Sequence, residues 1–281
     1  MPYRSLTVLL GDEPSSAART ELAIRMARDL DCHLVGLAPT GIIELPISAE
    51  ATGSLPEYAE RARAVLQERA EQCAARFATA CREADFKAFE SVVDRSEASA
   101  SLLRHAQCSD LVVMSQADPR CSGHRAMRDL VEQVLLGSPR PTLVLPYQGR
   151  FEGMGTKIMV AWDDSREAAR AIADAMPLLL RARRVDIETW NETGQDADAD
   201  ELRGRLDELH RWLMWHGVAA HLHLKTPADG ITAAILARAA DLDSDLIVMG
   251  AYGHARWSQR ILGGATHGLL ASMTVPVLLS H

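Results

Sequence analysis

The sequence of 281 residues contains no apolar run near the roughly 20 residues that a membrane-spanning helix needs. The first four residues enter a strand pattern at once and lack the charged segment, apolar core and cleavage site of a signal peptide. An excess of basic residues is also absent, since the formal net charge is −8, whereas a general nucleic-acid binder carries a basic face. We therefore expect a cytoplasmic protein that binds neither membranes nor nucleic acid.

Cysteine is scarce, and its spacing shows no pairing. Five cysteines occur, all in the first half of the chain: Cys32, Cys73, Cys81, Cys108 and Cys121. An odd number of cysteines without C-x2-C spacing argues against a disulfide framework or a zinc site. We expect free thiols that are mostly buried, with Cys121 in a loop where its thiol would be exposed.

The most informative stretch that is present covers residues 245–281. It opens with Leu246–Met249, a continuous apolar run that is typical of a strand buried on both faces of a parallel sheet. Four glycines surround the loop between this strand and the next helix pattern: Gly250, Gly253, Gly263 and Gly264. Glycine lets the backbone approach a ligand closely, and a helix N-terminus attracts anions. The loop therefore predicts a phosphate site at the carboxyl end of a strand; the alternative is that these glycines only form turns.

An internal repeat divides the chain. Ser109–Met114 matches Ser244–Met249 at an offset of 135 residues, and Pro141–Leu145 matches the segment from Pro276 onward at the same offset. Strand patterns alternate with helix patterns around both copies, which indicates parallel sheets with helices on both faces. We expect an α/β protein of two tandem Rossmann-like domains, each with a five-stranded parallel sheet, at 1–148 and 155–281.

Three local features refine this expectation. Residues 39–56 form a loop that is longer than usual and could cover a site. Pro177 is expected to kink or shorten the helix predicted over Ser165–Arg181. A loop is expected over Asn191–Asp200, before a helix over Glu201–His216.

The glycine spacing resembles a known family. Gly250-x2-Gly253-x9-Gly263 is similar to the G-x2-G-x9-G-[S/T] nucleotide loop of the universal stress protein (UspA) family. Gly264 departs from that pattern, which removes a side-chain hydrogen bond to phosphate but keeps the backbone donor; the hydroxyl of Thr266 could partly compensate. The resemblance extends over the chain as a tandem form, and it implies two domains packed as a pseudo-dimer with their closing strands near the contact.

The resemblance implies that the C-terminal domain binds ATP or a related adenine nucleotide, with any Mg²⁺ held mainly by the phosphates. Asp163 would meet the ribose hydroxyls, although it could equally cap a helix with Asp164 and Ser165. Thr189 would provide a backbone contact to adenine. The full set of nucleotide-binding residues is Ala161, Asp163, Thr189, Met249, Gly250, Gly253, Gly263, Gly264 and Thr266. Basic loop residues could neutralise phosphate or simply face solvent: His254, Arg256 and Arg260.

The first half differs at every one of these loop glycines. The offset of 135 places four other residues there: Ser115, Asp118, Arg128 and Asp129. Carboxylates would repel phosphates, so we expect no ATP binding in the first half in this mode. That half would be a structural partner, a regulator, or a site for another ligand through His124, Arg125 and Arg128. All five tryptophans lie in the second half, and Trp162 and Trp190 are expected near the ligand.

His221 and His223 alternate on a predicted strand and would share one face. Two histidines could ligate a metal, but no third ligand is evident in the sequence. An ordinary strand pair is the favoured interpretation.

Three functions remain open at this stage. The first is a nucleotide-binding stress protein that controls an unknown protein partner through its conformation. The second is a slow ATPase or nucleotide transferase, although Walker A and G-x-S-x-G motifs and a general base beside the loop are absent. The third is a scaffold that binds no nucleotide. The chain could be self-sufficient or could pair into a homodimer.

Overall fold

The computed structural model of the protein describes residues 2–41, 55–151, 153–227, 229–253 and 264–281. The chain divides into two compact units. The first unit is Tyr3–Met114, and the second is Ser115–His281 together with the N-terminal residues up to Pro2.

The first unit is a parallel sheet with helices. Its strands are β1 (Ser5–Leu9), β2 (His33–Pro39), β3 (Phe89–Asp94) and β4 (Leu111–Ser115). Its helices are α1 (Ser16–Asp29), α2 (Leu55–Glu83) and α3 (Ala98–Ala106). The strand order is β3-β2-β1-β4, and all three pairings are parallel. Apolar residues fill β1 and β4 because both strands are covered on both faces.

A buried arginine contacts the last residue of β1 in the first unit. The side chain of Arg19 is fully buried; its Nε donates to the backbone oxygen of Leu9 at 2.7 Å, and its Nη1 lies 2.5 Å from Oε1 of Glu13. A charged side chain is retained in such a place only when it is paired and hydrogen-bonded. This ion pair therefore fills the region where the loop after β1 meets α1.

The second unit contains six strands and five helices among its described residues. The strands are β5 (Thr142–Leu145), β6 (Lys157–Ala161), β7 (Arg184–Trp190), β8 (His221–Lys225), β9 (Leu246–Gly250) and β10 (Val277–Ser280). The helices are α4 (His124–Gly137), α5 (Arg166–Leu179), α6 (Asp196–Trp215), α7 (Ile231–Asp241) and α8 (Gly264–Ser272). The strand order is β5-β10-β9-β6-β7-β8; β5 and β10 are antiparallel, and the other pairs are parallel.

The structure confirms the α/β class and the mostly parallel sheet. The repeat is also preserved, because β4 and β9 begin 135 residues apart, and so do β5 and β10. The expected domain limits, 1–148 and 155–281, stay a prediction. No helix in the described part of the chain is both long and apolar enough to cross a membrane.

Two helices differ from the sequence expectation. Helix α6 begins at Asp196, five residues earlier than expected. The negative charges of Asp196 and Asp198 in its first turn stabilise the positive end of the helix dipole. Helix α5 continues through Pro177 to Leu179, so the proline falls in the last turn, where little helix remains to be disrupted. In the expected loop at 39–56, residues 42–54 lie outside the described residues.

Candidate functional site

The candidate site lies where the strand order of the second unit reverses. From β6 the chain moves outward to β7 and β8, and it then returns to β9 on the other side of β6. Ala161 and Met249, at the ends of β6 and β9, are register partners. Ligands of open α/β sheets bind in the crevice that such a reversal creates at the carboxyl edge. The sheet therefore brings the loops that follow Ala161 and Met249 to one edge.

Asp163 lies in the turn between β6 and α5. Its Oδ1 accepts hydrogen bonds from the backbone N–H of Ser165 at 3.1 Å and from the Ser165 hydroxyl at 2.5 Å. The Ser165 oxygen in turn accepts from the backbone N–H of Ala168 at 3.1 Å, which caps α5. Asp163 therefore orders the turn that begins the helix, as the capping alternative expected.

Asp163 stands close enough to a second carboxylate, Glu192, to affect its pKa. Burial raises the pKa of Asp163 and outweighs the opposite effect of the Ser165 hydrogen bonds. Burial, together with the charge of Asp163, also raises the pKa of Glu192. Each carboxylate is therefore less stable in its charged form than in water, and a ligand that donates hydrogen bonds to them would be favoured.

Trp162 carries an unpaired donor at the end of β6. Its side chain is only 6% exposed, and its buried indole Nε1 has no hydrogen-bond partner within the described ranges. The backbone around it is satisfied: the oxygen of Trp162 accepts from Oγ1 of Thr189 at 3.0 Å, and its N–H donates to Glu188. Thr189 is buried inside β7, which continues to Trp190. A buried N–H without a partner costs free energy unless a ligand or water accepts from it.

Gly250, at the end of β9, and Gly253, in the loop after it, pack against the first turn of α5. A Cβ atom on Gly250 would lie 2.6 Å from the backbone nitrogen of Ala168, which is too close for any other residue without a backbone shift. A Cβ atom on Gly253 would lie 3.0 Å from Oε2 of Glu167. Neither glycine has a positive φ, whereas Tyr252 between them does, at 54°. Close approach, and not a left-handed backbone, therefore requires glycine here.

Glu167 is a site residue that the sequence reasoning missed. Its side chain is 7% exposed, and Arg166 donates to its Oε1 from Nε at 3.0 Å and from Nη2 at 2.8 Å. Burial opposes its charged form, but its own backbone N–H, Arg166 and His281 outweigh burial and hold its pKa below the usual range. In the sequence Glu167 looks like an ordinary acidic residue in a first helical turn. The fold places this charged carboxylate beside Gly253.

The last glycine of the motif, Gly264, lies at the start of α8. Gly264 is the first residue of that helix, and a Cβ atom on it would meet nothing within 4 Å, so a serine or threonine would fit. Thr266 is buried, and its Oγ1 accepts from the backbone N–H of Tyr252 at 3.2 Å. Thr266 therefore joins α8 to the loop after β9. Four expected residues lie outside the described residues: His254, Arg256, Arg260 and Gly263.

The corresponding loop of the first half is organised differently. The carboxylate of Asp118 accepts from Nη2 of Arg120 at 2.8 Å and from its backbone N–H at 2.9 Å. These hydrogen bonds lower the pKa of Asp118 to about 2, and the bond from the Arg120 side chain has the largest effect. Asp129 lies 3.8 Å from Arg128. Both aspartates that replace loop glycines are thus paired with neighbouring arginines.

His223, one of the histidine pair, contacts a buried carboxylate on the neighbouring strand. Nε2 of His223 lies 3.0 Å from Oδ1 of Asp186, and Nε of Arg238 donates to Oε1 of the fully buried Glu188 at 2.7 Å. His223 therefore belongs to a buried ion network of β7, β8 and α7. Over the parts of the chain that the structure covers, no group of three His, Cys, Asp or Glu side chains could hold a metal ion.

The five cysteines are free, as expected from their spacing. Cys32, Cys73 and Cys81 are buried. Cys108 is exposed, and Cys121 is half-buried. Burial raises the pKa of the Cys32 and Cys81 thiols to about 11, so neither is a reactive thiolate at neutral pH.

Comparison with known proteins shows which family the sequence resembles. Residues 154–281 match the sequence model of the universal stress protein family. Universal stress protein Slr1230 of Synechocystis sp. is 28% identical over 149 residues, which are 53% of this chain and 49% of that protein. The chain thus spans about half the length of this relative.

Solved structures resemble the fold over nearly the whole chain. A universal stress protein from Archaeoglobus fulgidus has a TM-score of 0.65 at 17% identity, covering 98% of this chain and 97% of its own. The functionally unknown protein PA1789 from Pseudomonas aeruginosa has a TM-score of 0.59 at 18% identity, covering 99% and 92%. The second half is therefore an α/β domain, and its glycine-containing loop lies where the strand order reverses. The match of residues 154–281 to the universal stress protein model confirms the resemblance drawn from the glycine motif.

Proposed function

We propose that the second half of this chain binds an adenine nucleotide, ATP or a related one, at the carboxyl edge between β6 and β9. The observation that carries this proposal is the contact of Gly250 with the first turn of α5, next to the strand reversal. That contact leaves the loop backbone close to a helix N-terminus, where N–H groups favour anions. The match of residues 154–281 to the universal stress protein family also supports the proposal.

The nucleoside half of the site has suitable donors and acceptors. The unpaired indole N–H of Trp162 offers a hydrogen bond to a base or ribose oxygen or nitrogen. Asp163 and Glu192, whose pKa values are both raised, would accept from ribose hydroxyls or from the amino group of adenine. The residue set therefore fits a nucleoside, since each of these groups gains a partner when the ligand binds.

The phosphate half of the site is less favourable for a highly charged ligand. The charged carboxylate of Glu167 beside Gly253 would repel phosphate oxygens at that end of the loop. Mg²⁺ would reduce this repulsion by neutralising phosphate charge, and it would be held mainly by the phosphates. We therefore expect a modest preference for ATP with Mg²⁺ over free ATP.

The role of binding would be conformational. Thr266 connects the loop after β9 to α8 through Tyr252, so a ligand on the loop could change the position of that helix. We propose that nucleotide binding controls the contacts of this protein with a protein partner in the cytoplasm. The protein would act either as a single chain or as a homodimer. A chain that binds no nucleotide is the second candidate, because Glu167 and the missing hydroxyl at Gly264 both weaken a phosphate site.

Tryptophan fluorescence during a titration with ATP and Mg²⁺ tests the proposed place of the nucleoside. We expect a saturable change in emission that loses most of its amplitude in Trp162→Phe. Trp215→Phe is the matched control, because that side chain is 81% exposed at the end of α6. An undiminished signal in Trp162→Phe would show that the nucleoside does not bind next to Trp162. No signal in any of the proteins would favour a chain that binds no nucleotide.

A further inference from the structure

The second unit contains a cavity that the proposed nucleotide site does not use. Its volume is about 200 Å³, and it is lined by α4, by the loop after β4, by Tyr252 and by α8. Ligand sites for drug-sized molecules usually occupy 300–1,000 Å³. This cavity is therefore suited to a ligand smaller than a drug-sized molecule.

One wall of the cavity is apolar. Val131 on α4 and Leu270 and Ala271 on α8 are the apolar residues of this part of the lining. Val131 is buried, and Leu270 is half-buried. An apolar body that removes these surfaces from water gains about 25 cal/mol for each Å² that is buried.

The lining also contains groups that can be positive. His124 and Arg128 are four residues apart on α4, so they lie on one face of that helix, and His267 comes from α8. His124 is the first residue of α4, and the N-cap Gly123 provides no side-chain cap, so the positive end of the helix dipole is close. An anion would interact favourably with all of these groups.

A buried polar atom points independently to a missing partner. Nδ1 of His124 is buried, and no hydrogen-bond partner exists for it in the described part of the chain. Burial without a partner costs free energy for either protonation state of the ring. A ligand atom that bonds to this nitrogen would remove that cost.

Among the described residues that line the cavity, Glu132 is the one carboxylate. Burial, together with the charge of Glu132, raises the pKa of Tyr252 to about 12. Tyr252 therefore keeps its phenol proton at neutral pH and adds no negative charge to the wall. The remaining polar lining is neutral or cationic.

We propose that this cavity binds a small monocarboxylate with an apolar body, such as an aromatic carboxylate. The carboxylate group would lie at His124 and Arg128, where it would compete with the 3.8 Å contact between Arg128 and Asp129. The apolar body would pack against Val131, Leu270 and Ala271. A phosphate tail would leave the apolar wall without a partner, which disfavours it as the occupant. The proposal does not depend on nucleotide binding.

Calorimetric titration of the full chain with benzoate tests this inference, with benzamide as the neutral ligand of the same shape. We expect one saturable benzoate site per chain and at least about tenfold weaker binding of benzamide, because charge-assisted hydrogen bonds are the stronger kind. Arg128→Gln should weaken benzoate at least about tenfold. Arg125→Gln is the matched control, since its side chain is 88% exposed on the same helix, and it should change affinity less than about twofold.

A second variant guards against an effect on folding. Ala271→Trp should fill the cavity and abolish benzoate binding while leaving the far-ultraviolet circular dichroism spectrum unchanged. The proposal is overturned if benzoate does not saturate below about 10 mM, or if Arg125→Gln and Arg128→Gln weaken it equally. Competitive displacement of benzoate by AMP would also overturn it, because the cavity would then belong to the nucleotide site.

Discussion

Oε2 of Glu167 lies 3.0 Å from the position that a Cβ atom would take on Gly253. The two residues are far apart in sequence, and they meet because the loop after β9 packs on the first turn of α5. A charged carboxylate thus stands at the place where the glycine spacing alone predicts a phosphate. Glu167 becomes the residue with the greatest expected influence on which nucleotides bind.

Glu167→Gln should increase the affinity for ATP about tenfold, because it removes a like charge next to the phosphates. The affinity for adenosine should stay within about twofold, since adenosine carries no phosphate. Calorimetric titration with both ligands gives the two numbers. Asp207→Asn removes one negative charge from an exposed position on α6 and should change neither affinity. Equal gains for ATP and adenosine would show that Glu167 acts on folding or on the nucleoside, and not on phosphate.

Gly250→Ala should destabilise the protein by about 1–3 kcal/mol, because a Cβ atom there meets the backbone of α5 at 2.6 Å. Gly204→Ala is the control: Gly204 lies inside α6, and a Cβ atom on it would meet nothing within 4 Å. That change should stabilise the protein by about 0.5–1 kcal/mol, since alanine favours a helix. Urea unfolding followed by circular dichroism measures both. A neutral Gly250→Ala variant would mean that the loop does not pack on α5.

Arg238→Met should cost about 3 kcal/mol of unfolding free energy. Its guanidinium is the near partner of Glu188, whose side chain is fully buried, and removal of one partner leaves a buried charge uncompensated. Arg203→Met, at an exposed pair with Asp200, should cost less than about 1 kcal/mol. Urea midpoints of the two variants should differ clearly; similar midpoints would contradict the role given to the buried pair.

The stability that Asp94 contributes should depend on pH in the acid range. Burial would raise its pKa, but hydrogen bonds from Ser101, Arg104 and Ser96 outweigh burial and lower the pKa to about 2 from an ordinary value of 3.8. The contribution is therefore complete above pH 3.8 and is lost as the pH falls towards 2. Asp94→Asn should cost about 2 kcal/mol at pH 7. Urea unfolding between pH 7 and pH 3 should show this difference shrinking below pH 4, and a constant difference would contradict the assignment.

Local patterns predict most elements of the second unit, although the start of α6 and the course of α5 through Pro177 differ from the expectation. The apolar run at Leu246–Met249 became β9 because a strand buried on both faces needs continuous apolar residues. Its parallel pairing with β6 agrees with the alternation of strands and helices, which predicts a parallel sheet. Asp163 was correctly placed in the turn after β6, since both of its expected roles depend on that position.

The features that were not predicted depend on contacts between distant segments. Nothing in the sequence around Glu167 shows that its carboxylate faces Gly253, because the loop arrives from the far end of the second unit. Similarly, the alternation of His221 and His223 gave the face they share, but not the acidic partner Asp186 on the neighbouring strand. The direction of β5 against β10 is a further case, because an apolar strand pattern is the same for parallel and antiparallel pairs.

The most direct test of the nucleotide site is a calorimetric titration with ATP and Mg²⁺ of three proteins: the unchanged chain, Gly253→Asp and Gly123→Asp. Gly253→Asp adds a second carboxylate beside Glu167, whereas Gly123→Asp adds one at an open position before α4. We predict one ATP site per chain in the unchanged protein and in Gly123→Asp, and loss of that site in Gly253→Asp. Absence of binding in the unchanged chain, or full binding by Gly253→Asp, would contradict a nucleotide site at this loop.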